Sequence, residues 1–311
     1  MRRVDYLITD IRRISRNQAN PDGTVSIPDE EILQYLNDAQ DRLQGLICAT
    51  KGIDKIFSSQ SVISVAAGQE AYPIPDRLYI NKSMDLVEFS YTGISTDYVV
   101  LPKLNLFNRN TNQDSYPVGY YKRGGQVFLI PIPSASTGTI RITYERTADD
   151  LDKRRGGVQS VAGLTATGFT SLVVDSTADE TSTPSLSSID YVCIVDKDGA
   201  RRAYNIPVAS YIAGTNTLTP AAGFTFQTGE TIAAGDYVVF GKYRTTHSQL
   251  PDEAESYLIH YAVESILHKD SSDDVTTQSA KLRELEESFI RGLTAQTSEI
   301  QRIPQLSYWE W

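Results

Sequence analysis

The sequence predicts an α+β fold: a helical bundle built from the N- and C-terminal helices, a small antiparallel β unit, and an inserted all-β barrel or sandwich module. Three observations predict it. Apolar residues recur every three or four positions near both chain ends, the period of a helix face. Between them the period falls to two, the period of a half-buried strand. Residues 158–240 are rich in Thr, Ser, Ala and Gly and carry short apolar runs at roughly ten-residue intervals, the spacing of a small barrel or sandwich. The expected organisation is an N-terminal helical hairpin over 1–60, a β unit over 61–152, the inserted β module over 153–246, C-terminal helices over 247–293 that complete the bundle, and an extended aromatic tail over 294–311.

The elements follow in order. Val4, Leu7, Ile8, Ile11 and Ile14 share one face of a helix over 3–16, with Arg2, Arg3, Arg12, Arg13 and Arg16 around the other side. Asn20-Pro21-Asp22-Gly23 is a turn signal. Pro28 and the acidic run Asp29-Glu30-Glu31 suit the first turn of a second helix, where carboxylates meet the positive end of the helix dipole. Its apolar stripe is Ile32, Leu36, Ala39, Leu43 and Leu46, and the two helices are expected to form a hairpin. Strands are expected near 62–65, at an edge around Tyr72-Pro73-Ile74-Pro75, over 85–91 and over 98–101, with a helical turn at Leu104–Asn108. A hairpin over 118–130 turns at Gly124-Gly125, and Ile140, Ile142 and Tyr144 alternate with Arg141, Thr143 and Glu145.

Asp149–Gly157 reads as a charged connector ending in glycines. The module beyond it is expected to hold strands at 170–175, 189–196, 201–206, 216–218 and 236–240, with Asp196-Lys197-Asp198-Gly199 as a hairpin turn. Helical period returns after Pro251, breaks at Asp270–Asp274 and resumes from Val275 to about Leu293. Pro304 then stops any helix, so Gln305–Trp311 should be extended.

Composition narrows the function classes. A chain of 311 residues suggests about two domains at roughly 150 residues each. No apolar run approaches the roughly 20 residues that span a bilayer. Met1-Arg2-Arg3-Val4-Asp5 has no apolar stretch behind its arginines, which argues against an export signal. Cys48 and Cys193 sit in apolar surroundings and read as buried, reduced thiols. The net charge of −10 makes a poor general nucleic-acid binder. Residues 247–292 carry 4 basic and 10 acidic side chains, so most of that excess lies on one helical segment. It is either a solvated face or a repulsive surface.

Catalytic patterns are missing from the sequence. It holds no phosphate-binding glycine loop, HExxH, paired CxxC or Gly-x-Ser-x-Gly. His260, Glu264 and His268 fall four residues apart on one helix face. Eight residues of helix rise about 12 Å, too far for three ligands on one ion, so a pair could bind a metal or the face could be a polar contact. Asp196-Lys197-Asp198-Gly199 begins like a calcium loop, but Ala200, Arg201 and Arg202 fail the remaining ligand positions. Arg12, Arg13 and Arg16, and Lys153, Arg154 and Arg155, are either solvated cations or contacts to a partner or to DNA in a channel. The expectation is no catalytic residue, no metal and no cofactor. Tyr308-Trp309-Glu310-Trp311 places three large rings at the end of the sequence, so Tyr308, Trp309 and Trp311 either fold back on the core or dock on another chain.

Three stretches together resemble a known family. They are Ile27-Pro28-Asp29-Glu30-Glu31 running into Leu36-Asn37-Asp38-Ala39; Tyr72-Pro73-Ile74-Pro75-Asp76; and Tyr116-Pro117-Val118-Gly119-Tyr120-Tyr121 with Val127–Pro133 and Ile140–Glu145. In this pattern, over 1–152 and more loosely over 251–293, the chain resembles a bacteriophage head-to-tail adaptor, a connector ring bound to the portal. The resemblance implies a structural virion protein of the neck, made in the host bacterial cytoplasm. It would join head to tail and let double-stranded DNA pass, without enzymatic activity or a membrane. Its implied partners are the portal protein, further neck or tail proteins, and copies of itself in a dodecameric ring. A closed ring needs a head-to-tail interface repeated by rotation, and an acidic lumen would repel phosphates. The competing reading is a tail or fibre component whose β module binds a host surface polysaccharide. Residues 153–246 hold nine aromatic residues for such a role, among them Phe169, Phe224 and Phe226, spread along the sequence without a cluster.

Overall fold

In the computed structural model, which describes residues 2–17, 26–49, 57–79, 84–94, 97–105, 116–175, 190–212, 214–227, 229–269 and 274–300, the chain divides into two units. One is Met1–Ile53 with Ala148–Trp311, and the other is Asp54–Thr147. The mixed α+β class expected from the sequence is what the structure has.

The 54–147 unit holds β1 (Ser58–Ser64), β2 (Ala71–Pro73), β3 (Leu86–Ser90), β4 (Val99–Val100), β5 (Gly119–Arg123), β6 (Gln126–Ile130) and β7 (Thr139–Glu145). They form a four-stranded sheet in the order β1-β7-β3-β4 and a three-stranded sheet in the order β2-β6-β5. Every ladder in both sheets is antiparallel. The alternation read from Ile140 to Glu145 decides the facing: Ile140, Ile142 and Tyr144 are buried with Val87 and Phe89, and the same core takes in Tyr72, Tyr120, Val127 and Leu129 from the second sheet. Pro73 ends β2, which is an edge strand, so its missing N–H costs no ladder bond. Gly138 enters β7 under Phe89, where an added Cβ would lie 2.5 Å from the ring and 2.8 Å from the Ser90 carbonyl. The helical turn expected at Leu104 is corrected. Lys103 bridges Tyr120 in parallel and the Leu104 N–H donates to the Tyr120 carbonyl at 2.7 Å, so the chain there is extended along β5. Leu106, Phe107 and Asn108 lie outside the described residues.

The other unit begins with α1 (Val4–Ile14) and α2 (Asp29–Ala49) and ends with α3 (Glu255–Lys269) and α4 (Val275–Ile300). The helices pack around α3, whose Tyr257, Leu258, Ile259, Ala262, Val263 and Ile266 are buried. The stripes read from sequence are the buried faces over Val4, Leu7, Ile8 and Ile11 on α1 and over Ile32, Leu36, Ala39 and Leu43 on α2, whereas Ile14 is exposed and Leu46 only half-buried. On α4, Leu282 and Phe289 are buried.

Between the helices lie β8 (Asp150–Leu151), β9 (Gly156–Ala162), β10 (Ser171–Val174), β11 (Tyr191–Val195), β12 (Arg201–Ile212), β13 (Thr217–Pro220), β14 (Tyr237–Phe240) and β15 (Arg244–Thr245). Six of them close into an antiparallel barrel in the order β10-β13-β12-β11-β14-β9, while β15 pairs in parallel with β8. The barrel interior is Val158, Leu172, Val174, Val192, Ile194, Ile206, Leu218 and Val238. Two expectations are corrected. The glycines read as the end of a connector are strand residues. Gly156 has the Val174 Cγ1 only 2.4 Å from where a Cβ would sit, and the Gly157 carbonyl accepts the N–H of Asp175, just past β10. Strand β12 runs past 206 to Ile212, through Pro207, because it turns a barrel corner. Its first half pairs with β11 and its second with β13, with register shifts on either side of Pro207.

Candidate functional site

Sequence-based candidates for chemistry resolve into structural roles. Asp196 follows β11 and its carboxylate accepts the N–H groups of Asp198 at 2.9 Å and Ala200 at 2.7 Å, with Gly199 at φ +90°. It is the hairpin turn expected. His260 shares a 2.5 Å hydrogen bond with Gln278, and Glu264 accepts one from Ser279, so this face of α3 is a polar seam against α4. His268 is exposed. Among the described residues no group of His, Cys, Asp and Glu is arranged to hold a metal.

Burial, and secondarily Lys281, pushes the His260 imidazole below its usual range, and burial with nearby positive charge including Arg3 does the same to His247. A group that binds its proton less readily when folded leaves the unfolded chain holding more protons below about pH 6.5. Stability present above that pH is therefore lost as pH falls toward the depressed folded values. His260→Gln should flatten the stability profile between about pH 7 and pH 5 in denaturant titrations, leaving the share due to His247. An unchanged slope would remove His260 from this account.

The six cations separate sharply. Arg12 pairs with Asp29 at 2.5 Å, and Lys153 reaches the other oxygen of the same carboxylate at 2.9 Å. Burial works against charge on Asp29, but the bonds from Arg12 and Lys153 outweigh it and hold its carboxyl below the usual value. Arg155 pairs with Asp152 at 2.8 Å, both almost fully buried, and Arg244 approaches the second Asp152 oxygen at 3.4 Å. Arg154 pairs with Asp175 at 2.5 Å. Lys153 and Arg155 therefore point into the protein, where the charged connector fastens the barrel side of the unit to α2. Arg13 and Arg16 are exposed, Arg13 beside Asp10 at 2.9 Å. Tyr308, Trp309 and Trp311 lie outside the described residues.

Sequence reasoning missed a polar row on α2. Asn37 clamps both backbone groups of Leu151, donating to its carbonyl at 3.1 Å and accepting its N–H at 2.6 Å. Gln40 donates to the Asp149 carbonyl at 2.8 Å, and Gln44 accepts the Ala148 N–H at 3.0 Å. These residues are three and four apart, so one helix face hydrogen-bonds the backbone leading into β8. The available signal was two glutamines four apart inside an otherwise apolar stripe.

In the 54–147 unit the unusual surface is the outer face of the four-stranded sheet. One cross-strand row reads Val62, Arg141, Glu88, Val100. Arg141 and Glu88 pair at 2.6 Å in its centre, with the guanidinium 3.9 Å from the centre of the Tyr98 ring. The valines at its two ends are 59% and 54% exposed. Ile94, Val99, Tyr116 and Ile132 are further exposed apolar residues of this unit. A surface with ion pairs satisfied internally and apolar groups left outside suits contact with other protein chains.

Residues 3–154 match the family model of the SU10 adaptor protein. The match covers 152 of the 311 residues, just under half of the chain, and makes that span similar to an adaptor protein. It spans α1, α2, the whole 54–147 unit and the connector through Arg154, so the polar row of α2 and the row from Val62 to Val100 both fall within the adaptor-like part. No curated protein matches the chain. In the adaptor-type span, Leu36-Asn37-Asp38-Ala39 gains a physical meaning: Leu36 and Ala39 enter the core and Asn37 holds Leu151. The aromatic residues of the barrel prove less scattered than their sequence positions. Phe169, Phe224 and Phe226 converge with ring centres 5.7–6.1 Å apart, and they pack on the barrel core rather than standing free as a platform.

Proposed function

We propose that this chain is a neck component that forms a ring between portal and tail, joins head to tail and lets DNA pass. The observation that carries the reading is the adaptor match over 3–154, a span that ends where the connector enters the barrel. Helices α3 and α4 pack with α1 and α2 in one unit, so the C-terminal helices extend the matched part. They also carry the acidic excess, with Asp252, Glu253, Glu284 and Glu287 exposed, and such a surface facing a lumen would keep phosphates from sticking. In this reading Arg13 and Arg16 meet neighbouring chains, and Tyr308, Trp309 and Trp311 dock on the portal or on an adjacent copy.

The test is electron microscopy of the purified chain added to portal-containing heads. Rings at the portal vertex are the expected result. Truncation after Pro304 should leave a folded, soluble protein that no longer joins those heads. Normal joining by the truncated chain would remove the tail from the docking role, and absence of any neck density with the full chain would overturn the reading.

A further inference from the structure

The four-stranded sheet of the 54–147 unit has two open edges among the described residues, β1 on one side and β4 on the other. Natural sheets blunt such edges with prolines, lysines or bulges. Strand β1 has none of these: Ser58-Ser59-Gln60-Ser61-Val62-Ile63-Ser64 is uncharged, seven residues long and in unbroken register with β7. The hydrogen bonds that bracket its ladder, Arg146 N–H to the Phe57 carbonyl and Val65 N–H to the Gly138 carbonyl, assign the odd-numbered residues to β7. The backbone groups of Ser58, Gln60, Val62 and Ser64 therefore face the open edge. On β4 the Leu101 N–H donates to Val87, so Val100 likewise faces outward.

We propose that the β1 edge of one copy pairs with the β4 edge of the next, continuing the sheet from chain to chain, with Val62 of one copy packed beside Val100 of its neighbour. This rests on the ring reading above and assigns one of its contacts. Two features select a second copy as the occupant. Polarity is the first. All ladders in the sheet are antiparallel and the strand number is even, so β1 and β4 run in opposite directions. A neighbour in the same orientation then presents its β4 antiparallel to β1. That is what a rotation about an axis near the strand direction produces, whereas an odd-stranded sheet would present a parallel edge. Composition of the row is the second. Its polar pair is satisfied in the centre, and its two ends are valines on the same face, each lacking only the neighbour that the other end supplies. Such an edge buries less than the roughly 1,200 Å² of a stable interface, so it adds to other ring contacts and is weak alone.

The test uses the full-length chain carrying Val62→Cys and Val100→Cys, concentrated and treated with a short bis-maleimide linker. The native thiols Cys48 and Cys193 are buried, and unsubstituted protein gives the background. The double variant should give a ladder of dimers, trimers and larger species on a denaturing gel, and each single variant no more than background. Adding Gln60→Pro should abolish the ladder with an unchanged circular dichroism spectrum, because a proline whose nitrogen faces an open edge removes no internal bond. Dimers from Val62→Cys alone would overturn the proposal in favour of β1 pairing with itself. Oligomers seen by microscopy without any ladder would overturn it and leave the ring reading standing. No oligomer in solution or on portal-containing heads would overturn both.

Discussion

Asp152→Ala should destabilise the helix-and-barrel unit by about 3–5 kcal/mol, the cost of leaving a buried cation without its counter-charge. Asp152 is 1% exposed and its carboxylate is the hub of the connector. One oxygen accepts from the Arg155 guanidinium and from the Lys153 backbone N–H, and the other faces Arg244. Arg155 itself is 4% exposed, so removing Asp152 takes away the carboxylate that balances its charge in the interior. Asp152→Asn keeps an acceptor and should cost less. Arg244 is far more exposed, and Arg244→Ala should fall near the ordinary surface-pair value of about 0–1 kcal/mol. Guanidinium titrations followed by circular dichroism give the ranking. If Asp152→Ala cost no more than Arg244→Ala, the connector would not be fastened by its buried charge pair.

Ile142→Ala should cost about 2–5 kcal/mol, all of it in the 54–147 unit. Ile142 is fully buried on β7, the central strand that pairs with β1 on one side and β3 on the other. Removing its side chain leaves a cavity between Val87 and Tyr144 that an antiparallel strand held on both edges cannot collapse to fill. Hydrogen exchange of peptides from β1, β3 and β7 should accelerate by more than tenfold, since each 1.4 kcal/mol is a factor of ten. Peptides from the barrel should keep their rates. Equal acceleration in both would mean that the two units open together.

Much of this architecture was legible in the residues because periodicity reports burial. The stripes of α1 and α2, the alternation of β7 and the hairpin at Asp196–Gly199 required only that apolar side chains share a face and that turns have turn residues. Where the sequence misled, the cause was a partner far along the chain. Gly156 and Gly157 look like a linker until Val174 and Asp175 are beside them. Lys153 and Arg155 look solvated until Asp29 and Asp152 are seen to cover them. The candidate contact surface was less legible still. Val62 and Val100 are unremarkable letters 38 positions apart, and only the register through Arg141 and Glu88 places them at the two ends of one row.

Strands β11 and β14 are buried on both faces. Val192 and Ile194 fill the barrel, while Cys193, Val195, Tyr204 and Val239 lie on the opposite face with Tyr243, in the stretch that runs back toward the helices. Burial above all raises the Cys193 thiol, and thiolate is the form that reacts. Its reaction with an alkylating reagent is therefore gated by how often that outer face is uncovered. Alkylation of Cys193 would thus report any separation of the returning chain from this side of the barrel, even one that left the barrel itself closed.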